Sequence, residues 1–190
     1  KRYDRLKLPP DLARQMKMLK LSLTAAPPPD TKEAAELAQL LAQMEGVYGK
    51  GKYCPPGNAA DGKDKPCLDL GELSKIISSS RDPKALQEAW VGWHAISRPI
   101  KPLYERYVAL ANKGARDLGF ADTGALWRSK YDMTPDEFAR ETQRLWEQVK
   151  PLYMSLHAYA RTTLREQYGD LVPATGQIPA NLLGHMWAQE

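Results

Sequence analysis

Apolar side chains recur three and four residues apart along almost the whole chain, the period of a helix with one buried face. Pro9, Pro10 and Asp11 open the first such stretch, which carries Leu12, Met16, Leu19 and Leu23. The run Pro27-Pro28-Pro29 breaks it, because proline lacks the N–H that a helix interior uses. Asp30 stands where an N-cap belongs and Glu33 stands three residues on, the spacing of a reciprocal capping box. Leu37, Leu40, Leu41, Met44 and Tyr48 form the expected buried stripe of the helix behind it. A shorter helix is expected over 70–78. Asp82-Pro83 pairs a capping carboxylate with a proline at the first helical position. Leu86, Trp90, Trp93 and Ile96 follow on adjoining faces. Pro99 and Pro102 punctuate the entry to the next helix, which carries Leu103, Tyr107, Leu110 and Leu118. Gly119 suits a left-handed C-cap there. Asp122 or Thr123 then starts a short helix that holds Trp127 and Tyr131.

The longest element is expected over 135–168. Thr134-Pro135-Asp136-Glu137 is a capping box with proline in the first turn. Phe138, Thr142, Leu145, Val149, Leu152, Leu156 and Tyr159 alternate four and three apart, the mark of a seam facing another helix. Pro151 removes one backbone bond and is expected to kink the helix near 147–150. Gly169 ends it. A last helix is expected from Pro179, with Leu182, Leu183, Met186 and Trp187 as its apolar stripe and no Gly, Asn or Pro to stop it. That open stripe, and a first residue other than Met, give the expectation of a fragment truncated at both ends. No strand alternation and no internal repeat is found. The expected fold is all-α, about seven or eight helices of unequal length in one helical unit, and not a simple four-helix bundle.

Composition adds little that narrows the function. The chain has 190 residues, 43% hydrophobic and 26% charged, with a formal net charge of +4, which is ordinary globular usage. Lys1, Arg2, Arg5, Lys7, Arg14, Lys17 and Lys20 outnumber Asp4 and Asp11 near the start. A basic end can meet nucleic acid or lipid headgroups, but a solvated helix face is the favoured reading and no nucleic-acid partner is expected. No apolar run approaches the roughly 18 residues of a membrane span. The two cysteines, Cys54 and Cys67, flank a segment rich in Pro, Gly and Asp without helical or strand period. A bridge closing about 14 residues would remove on the order of 3 kcal/mol of unfolded-chain entropy, and would imply an oxidising compartment. Two reduced thiols are the alternative. A metal site is disfavoured, since no second ligand pair at Cys-x-x-Cys spacing lies nearby.

Catalytic motifs are scarce. There is no Gly-x-Ser-x-Gly elbow, and Gly49-Lys-Gly51-Lys lacks the spacing of a phosphate loop. His94, His157 and His185 sit on separate predicted helices, none with a His or Cys four residues on, so spacing offers no metal cage. No carboxylate pair is singled out for acid–base work, and the Trp and Tyr residues read mainly as core.

Several blocks in order resemble the angiotensin-converting enzyme family, the peptidyl-dipeptidase A zinc metallopeptidases. They are Tyr48-Gly-Lys-Gly-Lys-Tyr-Cys54, Cys67-Leu-Asp-Leu70, Ser79-Ser-Arg-Asp82, Ala89-Trp-Val-Gly-Trp-His94, Lys101-Pro-Leu-Tyr104, Asp122-Thr-Gly-Ala-Leu-Trp-Arg-Ser129, Pro151-Leu-Tyr153, Leu156-His-Ala-Tyr159 and Ile178-Pro-Ala-Asn-Leu-Leu-Gly-His-Met-Trp-Ala-Gln189. The last block is the most specific. The lack of an Asn-x-Ser/Thr acceptor points to a bacterial member.

The resemblance implies a mostly helical, two-lobed zinc peptidase domain around a deep channel, secreted or periplasmic, that releases dipeptides from peptide carboxyl ends. In that family a His-Glu-x-x-His helix and a later Glu hold zinc, and the helix Glu activates water. The chain contains no His-Glu-x-x-His and lacks most of the family's N-terminal lid helices. It therefore resembles a scaffold part of a larger catalytic domain, with no catalytic residue and no zinc ligand of its own, and inactive alone. Residue by residue, Cys54 and Cys67 match a family disulfide. Tyr131 matches a tyrosine that helps hold an activating chloride, whose arginine partner lies outside this chain. His94 falls where some members carry an arginine for a second chloride; other members have His there and lack that ion. Gly71 aligns near an acidic residue that lines a substrate pocket in some members, with Glu72 adjacent, so the pocket's charge preference stays open. The alternatives are a carboxypeptidase-type homologue that removes one residue, and a non-catalytic helical interaction module using the seam on the long helix and the 182–187 stripe.

Overall fold

A computed structural model of the chain describes residues 6–23, 25–55 and 66–188. The basic residues Lys1, Arg2 and Arg5, the middle of the cysteine loop, and Gln189 lie outside them. The elements are α1 (Pro10–Leu21), α2 (Thr31–Gly49), α3 (Leu70–Ser79), α4 (Pro83–Ala95), α5 (Ile100–Asp117), α6 (Thr123–Arg128) and α7 (Pro135–Tyr168), with short 3-10 turns at Gly169–Leu171 and Ala180–Leu182. Among the described residues the one extended pairing is an antiparallel bridge between Tyr53 and Leu68. The fold is all-α.

Side-chain oxygens satisfy the first backbone N–H groups of several helices, as the sequence requires. The Asp30 carboxylate accepts from the N–H groups of Lys32 and Glu33, each at 2.9 Å. Asp82 accepts from Lys84 and Asp122 from Ala125. Thr134 and Glu137 complete a reciprocal box, Thr134 N–H to Glu137 at 2.8 Å and Glu137 N–H to Thr134 Oγ1 at 3.2 Å. The box expected of Glu33 is not made in that form. Its carboxylate reaches Lys113 on α5 instead, because a charged partner outbids a neutral N–H for an anionic acceptor.

The chain divides into two compact units. One is Lys1–Ala42 with Leu103–Trp146; the other is Gln43–Pro102 with Glu147–Glu190. In the first, Leu21, Ala26, Ala115 and Leu126 form a buried cluster, with Leu118 and Phe120 against it. Gly114 permits the closest approach: a Cβ there would lie 1.9 Å from the Ala26 carbonyl oxygen. Arg106 grips Glu36 with two bonds of 2.7 Å, tying α5 to α2. The Arg106 guanidinium holds the Glu36 carboxyl below the usual carboxylate range. Gly119 adopts φ 89°, the left-handed cap expected of it. The apolar side chains Leu12, Met16 and Leu19 of α1 are exposed.

In the second unit, Leu73 and Ile77 of α3 meet Leu86, Ala89 and Trp93 of α4, and Val172, Leu182 and Met186 close the cluster. Asp69 and Glu72 cap α3 reciprocally. Gly92 lets the Tyr53 ring lie on α4, since a Cβ would sit 2.5 Å from its Cγ. The Cys54–Cys67 disulfide spans a Cα–Cα distance of 4.2 Å. The bridge beside it exchanges bonds of 2.8 and 2.7 Å between Tyr53 and Leu68. Beyond α7 the chain turns at Gly169, φ 58°. Two arginines of α7 fasten the returning strand of chain. Arg161 donates to the carbonyls of Pro173, at 2.9 Å, and Gly176. Arg165 donates to the Val172 carbonyl and to Asp170.

Four expectations are corrected. The last helix does not form: a 3-10 turn over Ala180–Leu182 gives way at Gly184, φ 79°, and Ala188, φ 53°. Left-handed residues cannot continue an α-helix. The apolar spacing there serves burial of Leu182 and Met186 from an irregular path, and leaves Trp187 exposed. Tyr48, expected in the buried stripe of α2, is exposed, with its ring 5.5 Å from Trp93. Tyr131 lies beyond α6, in the turn after the Ser129 cap. Beyond Phe138, whose ring meets Tyr131, the seam of α7 is not covered: no residue of that helix is buried, although the helix runs unbroken through Pro151. No described element packs over its apolar column.

Three outcomes follow from this packing. Gly114→Ala drives a methyl into backbone and is expected to cost about 3 kcal/mol or more in urea unfolding. Reduction of the disulfide is expected to lower stability by about 3 kcal/mol, read as a lower melting temperature with reductant and none in Cys54→Ser/Cys67→Ser. The depressed Glu36 pKa stabilises the fold above the unfolded value of 4.5 and the effect is lost as pH falls through the folded value. Glu36→Gln should flatten that acid limb of the stability curve.

Candidate functional site

The residues with chemistry to offer lie in both units. In the second, α4 positions His94 one turn from Trp90. A carbonyl only accepts, so the 2.7 Å contact to the Trp90 carbonyl fixes the proton on His94 Nδ1. The imidazole stacks on the Trp90 ring at 3.9 Å and 25°, and meets Trp187 edge-on at 5.8 Å. Trp187 also stands 6.4 Å from Trp93. Together Tyr48, Trp93, His94, Ile96, Ile100 and Trp187 border a cavity of about 80 Å³. Among the described residues none that borders it is Lys or Arg. Nε1 of Trp90, whose ring stacks on His94, is buried without a hydrogen-bond partner among the described residues.

Tyr131 belongs to the first unit. Its side chain is 55% exposed and its ring stacks on Phe138 at 4.2 Å. A phenol so placed keeps its hydroxyl free of the core and its ring fixed by an aromatic neighbour. In the same unit Tyr104, Tyr107, Asn112, Thr123, Trp127 and Arg128 border an open groove of about 330 Å³. Burial pushes the Tyr107 hydroxyl pKa up.

The other candidates are occupied structurally. His157 Nδ1 takes a bond from Arg161 at 3.3 Å. His185 Nδ1 accepts from the Trp187 N–H at 3.2 Å. The Glu72 carboxylate accepts from the Asp69 N–H at 2.9 Å and so serves the α3 cap; Gly71 is exposed beside it. Sequence reading missed Glu88, whose carboxylate takes the Tyr53 hydroxyl at 3.2 Å and raises the tyrosine pKa after desolvation has done so. No spacing joins positions 53 and 88, so nothing in the sequence could have paired them. Among the described residues no three His, Cys, Asp or Glu side chains gather to hold a metal ion. The described residues therefore do not fit a zinc site. No helix is long and apolar enough to cross a membrane among the described residues.

Comparison with known proteins gives a single direction. The family model described as angiotensin-converting enzyme matches residues 1–190. Angiotensin-converting enzyme of Bos taurus is 44% identical over 163 residues, 84% of this chain and 12% of that protein. The Oryctolagus cuniculus enzyme is 45% identical over 153 residues, 79% of this chain and 11% of that protein. The Theromyzon tessulatum enzyme is 40% identical over 156 residues, 81% of this chain and 25% of that protein. The chain thus spans a minor part of the curated relatives it matches.

With no gathered ligand set, a chelator such as EDTA is expected to leave the melting temperature of this 190-residue chain unchanged. A fall in melting temperature reversed by added zinc would show that the described residues do bind the metal.

Proposed function

Because this chain belongs to the angiotensin-converting enzyme family, we propose that it is a scaffold part of a zinc-dependent peptidyl-dipeptidase that releases dipeptides from peptide carboxyl ends. The observation that carries this reading is the family match across every residue of the chain. In the proposal these residues shape one wall of a channel that takes peptide substrates. Zinc, which polarises the scissile carbonyl and activates water, and the residues that hold it belong to other parts of the protein. The 190 residues alone cleave nothing.

Two further parts of the proposal concern residues present here. Tyr131, exposed and braced by Phe138, contributes its hydroxyl to an activating chloride, with the cationic partner supplied from outside the chain. The enzyme is exported, secreted or periplasmic. The Cys54–Cys67 disulfide supports that placement, since such bonds persist in oxidising compartments.

The decisive experiment uses protein from the complete coding sequence and a synthetic peptide with a free carboxyl end, followed by mass spectrometry. Loss of dipeptides, abolished by chelation and absent with the 190-residue chain, is the expected result. Loss of single residues would overturn dipeptide release in favour of a carboxypeptidase, and an intact peptide would overturn the peptidase. In the same enzyme Tyr131→Phe is expected to raise the chloride concentration for half-activation about tenfold, the size of one hydrogen bond to a charged group. An unchanged chloride response would remove Tyr131 from that role.

A further inference from the structure

The column Val149, Leu152, Leu156 and Tyr159 on α7 lies open, with Leu152 at 74%, Leu156 at 62% and Tyr159 at 70% exposure. Steps of three and four keep the four side chains on one face. Solvated apolar patches of this kind are uncommon on monomeric proteins and mark contact surfaces. The flanking columns say which contact. In a two-stranded coiled coil they carry charges that choose the partner. Here one flank is Tyr153 and Ala160, and the other is Gln148, Ser155 and Thr162. None of the five is charged. Tyr153, half exposed, widens the apolar stripe by a third column. A stripe of that width is the pattern of a helix packed inside a globular domain, not of a narrow dimer seam.

We propose that this face of α7 is the docking surface for an apolar helical segment of the same polypeptide outside these 190 residues. The relatives have room for such a segment: the matched stretch is 12% of the Bos taurus protein and 25% of the Theromyzon tessulatum protein. The proposal rests on the family reading for the existence of that further chain. It adds which surface of this one receives it, and that the contact is apolar and without charge pairing. The occupant is a helix, because steps of three and four on one helix fit the ridges of another.

Leu152→Glu/Leu156→Glu tests it by a difference in sign. In the 190-residue chain the pair is expected to reduce light scattering and dye binding, by removing exposed apolar surface. In protein from the complete coding sequence the same pair buries two charges, and its melting temperature is expected to fall by about 10 °C or more. Leu152→Ala/Leu156→Ala, which introduces no charge, should lower it in the same direction by less, so a failure of the first variant to fold still leaves a reading. Met154→Glu, on the far side of α7 and exposed, is expected to shift either protein by no more than about 2 °C. The proposal is overturned if the long protein tolerates the charged pair, or if Met154→Glu is equally damaging. It is also overturned if the 190-residue chain forms a discrete dimer that the charged pair dissolves while the long protein is unaffected. Opposite signs in a long protein that cleaves no peptide would leave the docking surface standing and remove the peptidase reading.

Discussion

Burial of one irregular stretch of chain against two short helices holds the second unit together. Leu73, Ile77, Leu86, Ala89 and Trp93 present the apolar sides of α3 and α4, and Val172, Leu182 and Met186 cover them. Those covering residues come from a segment with little regular structure, so its course must be fixed by other means. Arg161 and Arg165 do this by donating to three successive portions of backbone, at Val172, Pro173 and Gly176. A guanidinium suits the task, because its planar fork can serve two carbonyls at once. The aromatic surroundings of His94 depend on the same cover, for Trp187 arrives on that segment.

The first unit solves a different problem. The non-helical chain at Ala26 comes close to α5 where side chains are small: Gly114 lets its backbone meet the Ala26 carbonyl, and Ala26, Ala111 and Ala115 are buried. Charged pairs at the rim, Arg106 with Glu36 and Lys113 with Glu33, set the register of α5 on α2. They are solvent-facing and add little stability individually. Their value is positional, since a two-pronged guanidinium–carboxylate bond has one good geometry.

Much of this was legible before the structure. Thr134, Asp82, Asp30 and Asp122 announced their helices, because a capping oxygen acts on N–H groups two or three residues away and local sequence contains all its parts. Gly119 and Gly169 ended theirs for an equally local reason. What failed was non-local. The 178–188 stretch has helical spacing, yet the residues are drawn into an irregular path by a core assembled from distant positions, and Gly184 allows it. Glu33 was read for its neighbour Asp30 and went to Lys113, eighty positions away. The site was less legible than the fold. The single side chains Tyr131 and His94 acquire their surroundings only from the aromatic rings that the fold sets against them. The family came through because many weak blocks in fixed order are jointly specific.

The disulfide and the paired backbone at Tyr53 and Leu68 have an evolutionary corollary. Covalent and hydrogen bonds pin both feet of the intervening stretch, so its closure is set at the anchor points. Lengthening such a loop twofold costs only about 0.6 kcal/mol in closure entropy. Descendants of this sequence can therefore insert, delete or exchange residues between the anchors while the neighbouring scaffold stays under its own, separate selection.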